Sequence, residues 1–128
     1  MTDLVLDSRG VSRLAQRRPE TAALIAVFKR DGLWPPIVPT VVLVESLSGR
    51  QRTDAIVNRL LKTCNVVEEL PEDIARRAGS LRALAGQGSA VDAVVIAMAE
   101  PGGAVLGGDL KDLRALAGHA RDVTVHRA

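Results

Sequence analysis

Apolar and polar residues alternate in short blocks along this chain, and the blocks switch period from strand-like to helix-like. Leu4-Val5-Leu6 is an unbroken apolar run stopping at Asp7-Ser8, the pattern of a buried strand passing into a helix capped by Ser8 or Asp7. Pro19-Glu20 suits a helix start, with Ala22, Leu24, Ile25 and Phe28 as its apolar positions and Asp31-Gly32 as its stop. Ile37-Val38 reads as a brief strand bounded by Pro36 and Pro39, and Thr40 as the cap of a helix through Val41, Val42, Leu43, Val44 and Leu47. Between Arg52 and Cys64, Ile56, Val57, Leu60 and Leu61 recur at helical spacing. Val66-Val67 is a strand candidate, and Pro71-Glu72-Asp73 opens a helix with Ile74, Ala78, Leu81 and Leu84 on one side. Ser89 caps the next helix, AVDAVVIAMA, which Pro101-Gly102-Gly103 ends. Ala104-Val105-Leu106 supplies a fourth strand, Asp109 to Ala117 a short helix, and Val123-Thr124-Val125 a closing strand. Strands separated by helices predict a three-layer α/β/α sandwich around a mostly parallel sheet of about five strands.

Length and composition narrow this to one domain covering residues 1–128. The chain is 47% hydrophobic, enough for a real core, and its 25% charged residues are scattered, without the signature of disorder. A net charge of +2 and a pI near 9.2 are compatible with nucleic acid as partner but too mild to demonstrate one. Cys64, the single cysteine, excludes an internal disulfide and a cysteine-based zinc site, and makes a reducing compartment the simpler expectation. The opening MTDLVLD has no basic n-region, and no apolar run approaches the roughly 20 residues of a membrane span, so a cytoplasmic, membrane-free protein is expected. GLWPPIVPT reads as an in-domain loop.

Four acids keep unusual company. Asp7 follows Leu4-Val5-Leu6, Glu45 sits in VVLVESL, Asp92 in AVDAVVIAMA, and Asp109 follows AVLGG. The other acids fall in polar helix starts, turns or faces. In open parallel sheets, sites form beyond the carboxyl ends of the strands where the strand order reverses. If the first and fourth strands are neighbours there, Asp7 and Asp109 share one crevice. Clustered carboxylates either bind a cation or hold protons at raised pKa. An oxygen-only donor set favours Mg²⁺ or Mn²⁺ over zinc, ions suited to phosphodiester cleavage. Each acid also has a plainer reading: Asp92 as a first-turn acid favoured by the helix dipole, Asp7 as a cap, Asp109 and Asp112 as cap and first-turn acid, Glu45 as half of a buried pair with arginine.

The order LVLDS, PTVVLVESL, SAVDAVVIAMA and AVLGGDLKDL resembles PIN-domain proteins almost end to end, and the length is similar to that of VapC-type toxins of toxin–antitoxin pairs. The resemblance implies a parallel sheet between helices and metal-dependent endoribonuclease activity. It implies that Asp7, Glu45, Asp92 and Asp109 hold Mg²⁺ or Mn²⁺ directly or through water, with Asp112 in a second-shell or second-metal position. It further implies a VapB-type antitoxin as partner and a homodimer. The chain departs from the family at Gly107, where a Ser or Thr is usual, at Arg9, where a small polar residue stands, and at Leu113, often an aromatic. Loss of a hydroxyl at Gly107 removes a hydrogen bond that would orient the site.

Arg9 is a candidate contact for substrate phosphate, a partner for an acid of the site, or a solvent-facing residue. Arg9, Arg13, Arg17 and Arg18 are grouped near the first helix; their forks suit phosphate, and a solvated helix face is the default alternative. His119, His126 and Cys64 read as surface or packing residues, and Trp34 as a loop or interface residue rather than a base-stacking one. Two other functions compete with the nuclease. A receiver-like signalling module would need a phospho-accepting Asp after the third strand, where this chain has Glu68-Glu69. A catalytically inactive PIN-fold binding module would have its acids neutralised by a partner's arginines.

Overall fold

In the computed structural model, which describes residues 2–128, five short strands form one sheet: β1 (Leu4–Leu6), β2 (Ile37–Pro39), β3 (Asn65–Val67), β4 (Ala104–Gly107) and β5 (Thr124–Arg127). Their order is β3-β2-β1-β4-β5, and every neighbouring pair is parallel. The sheet is therefore wholly parallel rather than mostly so. β1 and β4 are the central pair, in register at Leu4↔Ala104, Val5↔Val105 and Leu6↔Leu106. Both are apolar at every position because both of their faces are covered; Leu4, Val5 and Leu6 have no exposed surface. The edge strands carry mixed sequences and are partly exposed.

Seven helices fill the connections: α1 (Ser8–Ala15), α2 (Pro19–Arg30), α3 (Thr40–Ser46), α4 (Gln51–Leu61), α5 (Glu72–Ala85), α6 (Ala90–Ala99) and α7 (Leu110–Ala117). α1 packs on α2, α3 and α4, while α5, α6 and α7 pack on one another, giving the two helical layers of an α/β/α sandwich. The chain winds outward from β1 through β2 to β3, then returns through α5 and α6 to β4 and continues to β5. The strand order therefore reverses between β1 and β4, the position at which a doubly wound sheet opens a crevice. Buried residues of β1, β4, α1 and α6 make up much of the core, and α6 contributes Ala93, Val94, Val95, Ile96, Ala97 and Ala99.

Two features set the position of the helices. Gly10 of α1 lies against the backbone of β4, where a Cβ would collide with the Leu106 carbonyl oxygen, so glycine permits the close approach of helix to sheet. On the other side, Glu100 after α6 receives two bonds from Arg77 of α5, Nε to Oε1 at 2.8 Å and Nη2 to Oε2 at 2.9 Å, and a third from the Arg121 backbone N–H at 2.7 Å. The guanidinium beside it holds the Glu100 carboxyl below its usual range.

Several expectations require correction. Pro39, not Thr40, caps α3; its fixed extended backbone ends β2, and Thr40 is the first helical residue, donating its hydroxyl to the Glu68 carbonyl at 3.3 Å. The helix read from Arg52 to Cys64 runs Gln51–Leu61, and Cys64 closes a turn by donating its N–H to the Leu61 carbonyl. Ile56 is half exposed while Val57 and Leu60 are buried. Leu84 is 59% exposed: at about 100° per residue it lies roughly 80° around α5 from Ile74, beyond the packed stripe of Ala78 and Leu81. β5 begins at Thr124 and reaches Arg127, because pairing with all four residues of β4 sets its length. No single helix among the described residues is long and apolar enough to cross a membrane.

Candidate functional site

Each candidate acid is placed by a local backbone requirement. Asp7 directly follows β1 and caps α1, its Oδ1 accepting from Gly10 N at 2.8 Å. Its Oδ2 accepts from Gly108 N at 3.0 Å, a bond between residues 101 positions apart that ties the end of β1 to the loop after β4. Asp7 is only 5% exposed. Asp109 caps α7, accepting from Asp112 N at 3.5 Å. Asp112, one turn into that helix and half buried, accepts from Gln87 Nε2 at 3.1 Å.

Asp92 occupies the third position of α6 in a capping box with Ser89. Ser89 Oγ accepts from Asp92 N at 3.0 Å, and Asp92 Oδ2 accepts from Ser89 N at 3.4 Å. A charge is tolerated in this apolar helix because it sits in the first turn, at the rim of the sandwich, while the buried residues follow from Ala93 onward. Its carboxyl is nevertheless pushed above the usual range, chiefly by burial; the Ser89 bonds oppose this, and the charges of Asp109 and Asp7 reinforce it. The plainer readings, Asp7 and Asp109 as caps and Asp92 and Asp112 as first-turn acids, thus hold and coexist with convergence.

Convergence is tight for three of the acids. One carboxylate oxygen from each of Asp92, Asp109 and Asp112 lies within 4.8 Å of the other two. Asp7 and Glu45 line the same cleft of about 490 Å³, together with Ser8, Arg9, Ser89 and Gly108. Glu45 is exposed rather than enclosed, and no arginine pairs with it; α3 is only seven residues long, and its neighbour Val44 is 80% exposed. The ion pairs of the described residues lie elsewhere, at Arg30–Asp31, Arg76–Glu72 and Arg77–Glu100. Among the described residues the cleft therefore gathers five carboxylates, none of them in an ion pair, with Arg9 the one cation on its wall. Three oxygen donors within reach of one point, with Asp7 fixed behind them, fit a hard divalent ion such as Mg²⁺ or Mn²⁺.

Some participants escaped the sequence reading. Gln87, whose amide also donates to the Lys111 carbonyl at 3.3 Å, orients Asp112 from a turn in which Gly86 and Gly88 both have positive φ. The Gly-Gln-Gly-Ser stretch immediately before the Asp92 helix is the signal that marks it. Other candidates stay outside the cleft. The Cys64 thiol is pushed up to about 11 by burial, which makes it an inert thiol at neutral pH. Trp34 lies under the Lys29 ammonium, 5.6 Å from the ring centroid. His119 and His126 are exposed.

Gly107 acquires a specific reason. A Cβ there would stand 2.6 Å from Asp7 Oδ2 and also strike the Leu113 side chain. A hydroxyl-bearing residue cannot enter without displacing the Asp7 carboxylate from Gly108 N. Gly107→Ser is therefore expected to destabilise the protein by about 1–3 kcal/mol, as overpacking does. Thermal melting tests this, and a variant melting with the parent would show that Asp7 has room to move.

The strand order also separates this sheet from receiver modules, whose order is 2-1-3-4-5. Here β3 is an edge strand, so Glu68 follows the strand farthest from the β1–β4 crevice on its side. No protein-family model matches this chain, and no curated protein matches it either.

Proposed function

We propose that this chain is a metal-dependent endoribonuclease of the PIN-domain type, hydrolysing RNA phosphodiester bonds as the toxin of a toxin–antitoxin pair. The observation that carries the reading is the meeting of Asp92, Asp109 and Asp112 with Asp7 and Glu45 at the β1–β4 switch point, none of them in an ion pair among the described residues. Asp92, Asp109 and Asp112 would hold Mg²⁺ or Mn²⁺. Bound there, the ion supplies an activated water and offsets charge on the phosphate oxygens. Asp7, fixed by two backbone N–H groups, keeps the ends of β1 and β4 at a constant separation and presents negative charge at the floor of the cleft. Gln87 fixes the orientation of Asp112, and Ser89 that of Asp92. Glu45, at the exposed rim, has Oε atoms available to accept a proton from attacking water. The reading brings with it a VapB-type antitoxin and a homodimer; the exposed apolar side chains Val44, Ile56, Leu70 and Leu84 are the surface available to such partners.

The test is RNA cleavage by the purified chain, freed of any partner, across a Mn²⁺ and Mg²⁺ titration with EDTA as control. The expected result is metal-dependent fragmentation accompanied by a rise in melting temperature on metal addition. Absence of both a melting shift and fragmentation at millimolar metal would refute the assignment.

A further inference from the structure

The acidic cleft does not end at its carboxylates. Arg9 and Gly108 line it on one flank and also line a second groove, about 250 Å³, whose other walls are Ser12 and Arg13 of α1, Gln16 just after it, Arg127 of β5 and Ala128. Two elements distant in sequence build this groove. α1 covers β4 closely at Gly10, and β5 extends beside it so that Arg127 pairs in register with Gly107, two residues before Asp109. The side chain of Arg9 lies directly over Gly108, where any Cβ would meet its Cβ and Cδ at 2.7 and 2.9 Å. Arg9 and Arg13 are one turn apart on α1, about 6 Å along the axis. Arg13 Nη1 donates to Thr21 Oγ1 at 2.6 Å, which holds that guanidinium in place. Arg9 and Arg127 are exposed and belong to none of the ion pairs of the described residues.

A strand of phosphates approaching five carboxylates is repelled by them, and Arg9 is the one cation among the described residues lining the cleft. Guanidinium forks match phosphate oxygens, and three arginines lining one groove that adjoins the cleft suit the groups of one backbone. The chemistry of the walls selects between ligands. A groove for an amphipathic peptide needs apolar pockets, and this one offers serine, glutamine, glycine and arginine. The separate groove between α1, α2 and α4 carries the cations Arg17, Arg18, Lys29 and Arg59 but adds the apolar walls Leu14, Ile25, Trp34 and Ile56, which this one lacks.

We propose that Arg9, Arg13 and Arg127 form the seat of the RNA sugar-phosphate backbone flanking the scissile bond, so that the substrate strand leaves the acidic cleft between α1 and the end of β5. The proposal rests on the nuclease reading for what happens in the cleft, but its test is made without catalysis. Binding of a short fluorescently labelled single-stranded RNA is followed by anisotropy in EDTA over a range of salt concentrations, for the parent, Arg9→Gln, Arg127→Gln and their double variant. Arg76→Gln on α5, whose guanidinium pairs with Glu72, removes the same charge from another face. Melting temperatures matching the parent establish that each variant folds.

Each single groove variant is expected to weaken binding about tenfold at low salt, and the double variant by about the product of the two. Each is also expected to flatten the dependence of log K on log salt by about 0.7, the contribution of one phosphate contact on a single strand. Arg76→Gln is expected to change neither, and in metal-dependent cleavage the groove variants should raise KM more than they lower kcat. Parent-like binding by Arg9→Gln and Arg127→Gln, or equal losses in Arg76→Gln, would overturn the proposal. So would a polyglutamate peptide that binds more tightly than RNA with the same dependence on Arg9 and Arg127. RNA binding that depends on these arginines, without cleavage at any metal concentration, would support the seat and remove the nuclease reading. Cleavage with unchanged KM in both variants would do the reverse.

Discussion

Under the proposed mechanism, Asp92→Asn cuts RNA more than about a hundredfold more slowly than the parent, yet the metal-free protein melts at the same temperature or higher. The loss follows from the site: partners that merely support metal ligands already cost about 10–100-fold when removed, and Asp92 supplies one of the three converging oxygens itself. The retained stability follows from the capping box. An asparagine carbonyl oxygen accepts from Ser89 N as the carboxylate does, and the Asp92 N–H still donates to Ser89 Oγ. The substitution removes a charge that burial and the carboxylates of Asp109 and Asp7 disfavour. A melting temperature well below the parent's, or cleavage at the parent's rate, would remove Asp92 from this role.

The same substitution has a pH signature with a definite sign. The folded protein holds the Asp92 proton more tightly than the unfolded chain does, so ionising Asp92 costs stability. That cost grows as pH rises above the unfolded value of about 3.9 and through the raised folded pKa, and disappears on acidification. The variant's advantage over the parent is therefore largest at neutral pH and closes on acidification. Glu100 and Asp54, whose pKa values are lowered by Arg77 and by the Ser48 backbone N–H respectively, lose their stabilising contribution as pH falls. Both proteins share those terms, and they cancel in the difference. With Mn²⁺ present the order reverses, because binding to the folded parent alone raises its stability. Urea melts of the two proteins across this pH range, with and without Mn²⁺, read all three effects.

What could be read from the chain divides along physical lines. The alternation of strand and helix was legible because β1 and β4 are buried on both faces and therefore unbroken in apolar sequence. Asp7 and Asp109 were legible for the same reason, since a carboxylate at or just past the end of such a run marks a strand's end, and Asp92 because it stands in the apolar run of α6. Glu45 lines the cleft but is not enclosed, because its apolar neighbours in sequence are not neighbours in space; a seven-residue helix leaves Val44 and Glu45 together in solvent. Thr40 was misread because the strand's own last residue, Pro39, already supplies the extended backbone a cap needs. Gln87 and Arg127 were out of reach for another reason. Their places depend on pairings made 25 and 20 residues away, with Asp112 and Gly107, which no local period encodes.

Gly10→Ala is expected to destabilise this protein by about 3 kcal/mol, the upper end of overpacking costs, and to lower its melting temperature by roughly 10 °C. Helix propensity alone gives the opposite sign, since alanine in a helix interior is favoured over glycine by about 1 kcal/mol. The structure decides between them. Gly10 is buried in the first turn of α1, and the new methyl would press on the Leu106 carbonyl oxygen while standing 3.3 Å from the Leu6 Cβ. Leu106 cannot yield, because its backbone is held in the sheet centre between Leu6 and His126. The helix must lift instead, carrying Asp7 away from Gly108 N and Arg9 from its place over Gly108. Stability and metal-dependent cleavage should therefore fall together. Gly79→Ala is the matched control: Gly79 lies in the interior of α5 with no atom within 4 Å of a built Cβ, and alanine there should raise the melting temperature. A Gly10→Ala protein that behaves like Gly79→Ala would show that α1 does not depend on contact with β4 for its position, and the geometry by which Asp7 reaches Gly108 would need another cause.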